Sequence, residues 1–300
     1  MPVQDAITID RSTCTKCALC AEVCPNRIPV KQGPDGTIAA RDNAGLCMRC
    51  GQCMAICPTR SILVDGLSYE RDFFDLPGNS PDEAAFHDMI RTRRAVRNFK
   101  GGPVPKELLE KVVEAISFAP PSFPPLKYQI VVVQNAELIR KALPNMIRLY
   151  ESLVKMMKNP VIRFFIKREV GSKRFRTMRS HLLPLLASRL PALKAGTEDT
   201  LTRNAPAMIL FLADRDGEDI GPDIIIAAAF GMLAAHSMGL GGSIMDIIPP
   251  AIDRDPELRK MFSIPDDQEV AAALILGYPK YKYQRGIRRK IRSVHWLSRP

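Results

Sequence analysis

Eight cysteines stand between Cys14 and Cys57, and the rest of the 300-residue chain has none. They form two runs, Cys14-Cys17-Cys20-Cys24-Pro25 and Cys47-Cys50-Cys53-Cys57-Pro58, each spaced C-x2-C-x2-C-x3-C-P and offset by 33 residues. Thiolates are soft, charged donors, and three of them at this spacing wrap a short loop around an iron-sulfur cubane. The fourth ligand must come from elsewhere, and in runs of this type the last cysteine serves the other cluster. The spacing therefore predicts two [4Fe-4S] clusters, one on Cys14, Cys17, Cys20 and Cys57, the other on Cys47, Cys50, Cys53 and Cys24. A pair of zinc sites is the alternative, but those usually show paired C-x2-C arms rather than four cysteines in one tight run. Such thiolates need reducing surroundings, so a cytoplasmic location is expected.

The second constellation is basic. Arg91-Thr92-Arg93-Arg94-Ala95-Val96-Arg97-Asn98-Phe99 places four guanidinium forks at a predicted helix end, where they could grip a phosphate. Taken alone, the pattern equally describes a solvated helix face. No G-x-G-x-x-G follows a predicted strand, and Gly239-Leu240-Gly241-Gly242 follows a helix instead, so a dinucleotide-binding Rossmann unit is not indicated. No Ser-His-Asp or paired-carboxylate arrangement argues for hydrolysis. His236 lies on an apolar helix and reads as a packed, hydrogen-bonded residue, while His87, His181 and His295 share no spacing with a carboxylate or cysteine.

The elements that must position these groups differ between the two ends of the chain. Short apolar stretches, Ala6 to Ile9 and Ser61 to Val64, flank the cysteine repeat, and Gly33-Pro34-Asp35-Gly36 reads as a turn between two more. After residue 68 a polar, turn-rich stretch through residue 80 reads as a linker. Ser80, Pro81 and Glu83 have the spacing of a capping box opening a helix that runs to about Arg91. Residues 105 to 118 form an amphipathic helix, with Leu108, Leu109, Val112, Val113 and Ile116 on one face. Buried strands are expected at Ile130 to Val133 and at 205 to 213, and further strands at Ser243 to Ile248 and Glu269 to Leu276. Pro222 to Ser237 is apolar almost all round, closed by Gly239, and belongs in a core or a subunit interface. The longest apolar run, Ile224 to Ala235, is too short to cross a bilayer, and no secretory signal pattern opens the sequence.

The net charge of +11 is unevenly placed. Residues 138 to 194 hold fourteen basic side chains against two acidic, and residues 280 to 300 hold eight against none. Two four-thiolate cubanes would each bring about −2, and a phosphate gripped by the arginines about −2 more, leaving about +5 on the loaded protein. Part of the excess is thus a countercharge for cofactors, and no nucleic-acid partner is expected. The stretch at about 140–195 reads as a basic helical insertion. It could be a lid, a docking face for an acidic electron donor, a solvated excursion, or a peripheral membrane contact through Val161-Ile162-Arg163-Phe164-Phe165-Ile166.

Residues 5 to 66 resemble the bacterial two-cluster ferredoxins. From about residue 82 to 292 the chain resembles the nitroreductase family of FMN enzymes. Arg93 to Phe99 is similar to that family's R-R-S-x-R-x-F opening, and Ala119-Pro120-Pro121-Ser122 to its A-P-S stretch. Leu233 to Gly241 is similar to L-A-A-x-x-x-G-L-G, and Leu276-Gly277-Tyr278-Pro279 to an L-G-Y-P ending. The order of segments resembles the ferredoxin-fused nitroreductases. The resemblance implies an α+β fold, a two-cluster ferredoxin-like domain at 1–68 followed by a domain at 81–300 with a central, mostly antiparallel sheet flanked by helices. It implies FMN, with Arg93, Arg94 and Arg97 on its phosphate and polar ring edge and Ser122 of the partner subunit contributing. Gly241 and Gly242 would admit the isoalloxazine, and Arg285 or Arg289 would complete the phosphate site. Ala95 replaces the motif serine, Pro124 the usual asparagine, and Leu126 and Lys127 a Gln-Pro pair. The expected protein is a homodimeric reductase fed by its clusters, with an external ferredoxin or NAD(P)H as donor and a small organic acceptor: a nitroaromatic, a quinone or an activated alkene. The alternatives are an iron-sulfur carrier or sensor with a degenerate flavin module, and a membrane-surface quinone reductase.

Overall fold

The computed structural model describes residues 6–40, 46–78, 82–121, 128–217 and 220–297. The chain divides into two compact units, the first made mainly of the residues before 82 and the second mainly of those from 82 on.

In the first unit β1 (Ile7–Ile9) pairs antiparallel with β4 (Ile62–Val64), and β2 (Pro29–Gln32) with β3 (Thr37–Ala40) across the turn at 33–36. α1 (Leu19–Val23) and α2 (Gln52–Ala55) each carry the third cysteine of a run. The duplication reaches the backbone. Lys16, Ala18 and Arg27 have φ of 56°, 66° and 49°, and their counterparts Arg49, Gly51 and Arg60 have 53°, 75° and 53°. Left-handed residues inside the C-x2-C loops and just past the last cysteine curl the chain tightly, which costs a non-glycine residue of order 1–2 kcal/mol each. Ile7, Ile28, Met54, Ile62 and Val64 form a small buried core beneath the cysteines.

Residues 69–73 depart from the linker reading. α3 (Tyr69–Asp72) is capped by Ser68, and the Tyr69 hydroxyl donates toward the carbonyls of Met54 at 3.2 Å and Ile62 at 3.0 Å. Tyr69 and Phe73 pack against the core of this unit, so the segment belongs to it.

The second unit is built on a four-stranded antiparallel sheet in the order β5-β6-β8-β7, with β5 at Gln129–Val133, β6 at Ala207–Asp214, β7 at Gly241–Ile244 and β8 at Gln268–Gly277. β6 is buried from Ala207 to Ala213, as a strand covered on both faces must be. β5, expected to be buried, is an edge strand in which only Val133 is fully covered. Its apolar composition could not reveal its position in the sheet.

α4 (Glu83–Thr92) is capped by Asp82, whose carboxylate accepts from the Ala85 N–H at 3.0 Å. The cap is thus Asp82 rather than the expected Ser80, and the helix opens at Glu83. Ser80 and Pro81 lie outside the described residues. α5 (Lys106–Ser117) buries Leu109, Val112 and Ile116. The basic insertion is a helical chain: α6 (Ala136–Met156), α7 (Pro160–Val170), α8 (Ser172–Thr177), a π-helical turn at Met178–Leu182, and α9 (Leu183–Lys194).

α10 (Gly221–Ser237) lies beside α5 on one face of the sheet, where Gly231 leaves room for Ile116 and Leu274. It ends in a Schellman motif, with Leu240 N–H on Ala235 O and Gly239 N–H on His236 O, and Gly239 at φ 78°. Its apolar surface is not all enclosed, for Ile225, Ile226 and Phe230 are exposed. α11 (Pro249–Asp253) and α12 (Pro256–Met261) join α6 and α9 in a large core with Met208, Leu210, Leu212 and Ile275. Among the described residues no helix is long and apolar enough to cross a membrane.

Candidate functional site

The cysteines converge in two hollows. One is lined by Cys14, Cys17, Cys20 and Cys57, the other by Cys24, Cys47, Cys50 and Cys53. Each hollow therefore takes three cysteines from one run and the last cysteine from the other. The thiols also feel one another in those sets. Burial and then its neighbours Cys57, Cys17 and Cys14 push the Cys20 thiol up. Burial and then Cys47, Cys24 and Cys50 push Cys53 up to about 12. Crowding thiolates in a poorly solvated hollow is unfavourable unless a cationic group occupies its centre. The iron of a cubane is such a group, and the donor set fits it.

The last cysteine of each run accepts a backbone N–H four residues on: Ile28 N–H to Cys24 Sγ at 3.4 Å, and Ser61 N–H to Cys57 Sγ at 3.3 Å. Hydrogen bonds to sulfur tune the potential of an iron-sulfur centre. The repeats differ at the next step, where the Thr59 hydroxyl stands 3.8 Å from Cys57 Sγ and Asn26 instead donates to the Leu46 carbonyl.

In the second unit, the segment after α4 is laced to the sheet. Val96 N–H donates to Gly242 O at 3.0 Å, Lys100 N–H to Tyr278 O at 2.8 Å, and Lys280 N–H to Asn98 O at 2.9 Å. Ala95 bridges Gly242 in parallel and Phe99 bridges Pro279 antiparallel. A Cβ on Gly241 would stand 2.5 Å from Val96, and one on Gly242 2.8 Å from Leu276 and 2.9 Å from the Ile275 carbonyl. Both glycines are thus required for packing inside β7.

This lacing gathers some of the sequence-predicted residues and separates others. The Arg94 guanidinium donates to the carbonyls of Arg91 at 3.0 Å and Arg285 at 3.0 Å, while its Nε is buried with no hydrogen-bond partner. Arg93 and Arg94 both stand near His236 at the end of α10. Burial and then these two arginines lower the His236 pKa, and its Nε2 is 2.9 Å from the Thr92 hydroxyl. Thr92 spends its hydroxyl proton on the Asp88 carbonyl at 2.6 Å, so His236 donates from Nε2. Arg93 and Arg94 therefore stand together with an orphaned donor, a combination suited to an anion, and Arg285 reaches them through its backbone carbonyl. Arg289 is exposed in the segment after β8 and is not drawn into it. Ser122, with Pro124, Leu126 and Lys127, lies outside the described residues.

Arg97 lines a separate cleft of about 450 Å³ that it shares with Arg189, Arg203 and Lys280, against a wall of Phe99, Leu186 and Ile247. The acids of this cleft are already engaged. Glu198 pairs with Arg189 at 2.9 Å, and Asp199 accepts from the N–H groups of Leu201, Thr202 and Asn204. Burial and then Arg97 lower the Arg203 pKa, and Arg203 Nε is buried without a partner. The cleft thus offers an apolar wall and a cationic rim, as a planar group with an electron-rich edge requires. Arg189, Arg203 and Lys280 were not singled out from sequence. Their contact rests on the path of α9 and the turn at 199–204, which no local motif announces.

The 4Fe-4S dicluster domain model matches residues 6–62, and the nitroreductase family model matches residues 90–278. A provisionally named NADH dehydrogenase/NAD(P)H nitroreductase of Methanothermobacter thermautotrophicus is 26% identical over 196 residues, covering 64% of this chain and 76% of that protein. The FMN-bound nitroreductase of Bacteroides fragilis shares the fold at a TM-score of 0.52 and 17% identity, covering 73% of this chain and 100% of that one. The FMN-bound nitroreductase of Desulfitobacterium hafniense does so at 0.52 and 19%, covering 71% and 97%. With the two cysteine-lined hollows and a family match spanning well over half its length, the chain belongs to the nitroreductase family and carries a 4Fe-4S dicluster domain ahead of it.

Proposed function

We propose that this protein is an FMN-dependent oxidoreductase in which two [4Fe-4S] clusters supply electrons singly and FMN passes them in pairs to an organic acceptor, a nitroaromatic, a quinone or an activated alkene. The observation that carries the reading is the union, in one chain, of two four-cysteine hollows with the nitroreductase fold. The two structural neighbours described above were solved with FMN bound. The unpartnered Nε atoms of Arg94 and Arg203 mark donors that an anion would satisfy.

In this reading Arg93, Arg94 and Arg285 hold the FMN phosphate, with Arg289 closing from the C-terminal segment and Ser122 of the partner subunit contributing. Gly241 and Gly242 keep β7 close to residues 95–96 and so hold the arginine segment in place. Arg97, Arg203 and Lys280 present positive charge to the polar edge of the ring and favour its reduced, anionic form. Phe99, Leu186 and Ile247 exclude water from that edge. The exposed apolar stripe of α10, Ile225, Ile226 and Phe230, supplies the homodimer contact. The electron donor is an external ferredoxin or NAD(P)H, and the location is cytoplasmic.

Anaerobic purification with assay of iron, sulfide and released flavin tests this directly. About eight irons and one FMN per chain are expected. In stepwise reduction by a low-potential donor, the flavin band should bleach after the clusters. A protein with both clusters that neither retains nor rebinds FMN would sink the reading and leave a carrier.

A further inference from the structure

The basic insertion carries a surface that the redox chemistry does not use. α7 is a well-bounded helix, capped by Asn159 through the N–H groups of Val161 and Ile162 and stopped by Gly171 at φ 79°. Ile162, Ile166 and Val170 face inward and are half-buried. Val161, Phe164 and Phe165, at positions i, i+3 and i+4, share the opposite face and are 61%, 62% and 60% exposed. The two phenyl rings meet edge to face with centroids 5.7 Å apart, so they project together.

Cations predominate around this apolar tip, with exposed Glu169 the one carboxylate on α7. Lys158, Lys167 and Arg168 on or beside α7, and Lys173 and Arg174 on α8, are exposed and have no ion-pair partner among the described residues. The stretch 138 to 194 has only two carboxylates, and one of them, Glu151, is held by Lys155 and Lys194. A second copy of the chain is a poor occupant. A two-fold contact would press this patch against its own image and bring like charges together. The stripe on α10, whose helix contains only Asp223 and His236 as titratable groups, is free of that penalty.

We propose that α7 seats the protein on anionic lipid bilayers, with Val161, Phe164 and Phe165 entering the boundary between headgroups and acyl chains. Lys158, Lys167, Arg168, Lys173 and Arg174 then meet the anionic headgroups, whose potential falls off within a Debye length of the surface. A convex pair of phenyls needs no preformed groove, which a lipid surface does not offer and a protein partner would.

The experiment is co-sedimentation of the full-length, cluster-loaded protein with phosphatidylcholine vesicles, with and without phosphatidylglycerol, at low and high salt. Binding is expected only with phosphatidylglycerol, and it weakens as salt rises. Phe164→Ser/Phe165→Ser lowers the partition coefficient by at least about tenfold, with unchanged cluster absorbance and dimer elution. Lys167→Glu/Arg168→Glu weakens binding independently, which covers the case in which the serine variant misfolds. No binding to anionic vesicles at low salt overturns the proposal. So does full binding by the serine variant, which would assign lipid contact to the basic tail after β8. Loss of the dimer in that variant overturns it in favour of a subunit interface, and binding restricted to an acidic protein in place of vesicles overturns it in favour of a docking face.

Discussion

The side chain of Val96 fills the place where a Cβ on Gly241 would have to stand, 2.5 Å away, while the Val96 N–H donates to the carbonyl of Gly242 at 3.0 Å. One residue thus locks the arginine segment to the start of β7 from both sides. Gly241→Ala forces the two strands of chain apart, and overpacking of this kind costs about 1–3 kcal/mol. Urea unfolding followed by far-ultraviolet circular dichroism should show a lower midpoint. An unchanged midpoint would mean that the segment can shift freely.

The exchange of last cysteines between the two runs makes a prediction that two double variants separate. Cys14→Ser/Cys57→Ser removes two residues lining one hollow and should leave about four irons per chain. Cys14→Ser/Cys24→Ser takes one residue from each hollow and should damage both clusters, with less iron and no intact electron paramagnetic resonance signal. Equal iron in the two variants would contradict the exchange.

Tyr69 ties α3 to the cluster-binding unit through the carbonyls of Met54 and Ile62. Tyr69→Phe should cost about 1–2 kcal/mol, because two acceptors lose their donor. Burial, and then the charge of Cys57, raises the Tyr69 pKa from its ordinary value of 10.0 to about 12. A raised folded-state pKa gives stability that is complete below the unfolded value and is lost as pH climbs through the folded one. The urea midpoint of the parent should therefore fall between pH 10.0 and about 12 more steeply than that of Tyr69→Phe.

His236 works in the opposite sense. Burial, and then Arg93 and Arg94, hold its pKa below the ordinary 6.5. A depressed histidine contributes stability that is present above pH 6.5 and lost as pH falls through its folded-state value. His236→Gln keeps an N–H for the Thr92 hydroxyl and removes the titration, so its acid limb should be flatter. An anion held by Arg93 and Arg94 offsets their repulsion, and adding FMN should move the His236 pKa upward in a nuclear magnetic resonance titration. An unmoved value would count against these two arginines as phosphate ligands.

The iron-sulfur half of this protein was legible in its sequence because its instructions are local. Three cysteines within seven residues can face one hollow only by curling the chain, and the curl at Lys16 and Ala18 is repeated at Arg49 and Gly51. The helices α5 and α10 and the strand β6 were legible for the same reason, since apolar periodicity and capping residues act within a few residues of the element they shape. Other features depend on contacts between residues far apart in the chain. Nothing around residue 130 says that β5 takes the sheet edge, because its neighbours in space are set by the closing of β6 and β8. The same holds for Arg97, which stands three residues after Arg94 in the motif but lines a different cleft with Arg189, Arg203 and Lys280. Sequence by itself determined which cofactor chemistry the cysteines could support and which family the second unit resembles. Only the tertiary structure decided which cations face one another, because a charge is placed by the packing of the element that carries it.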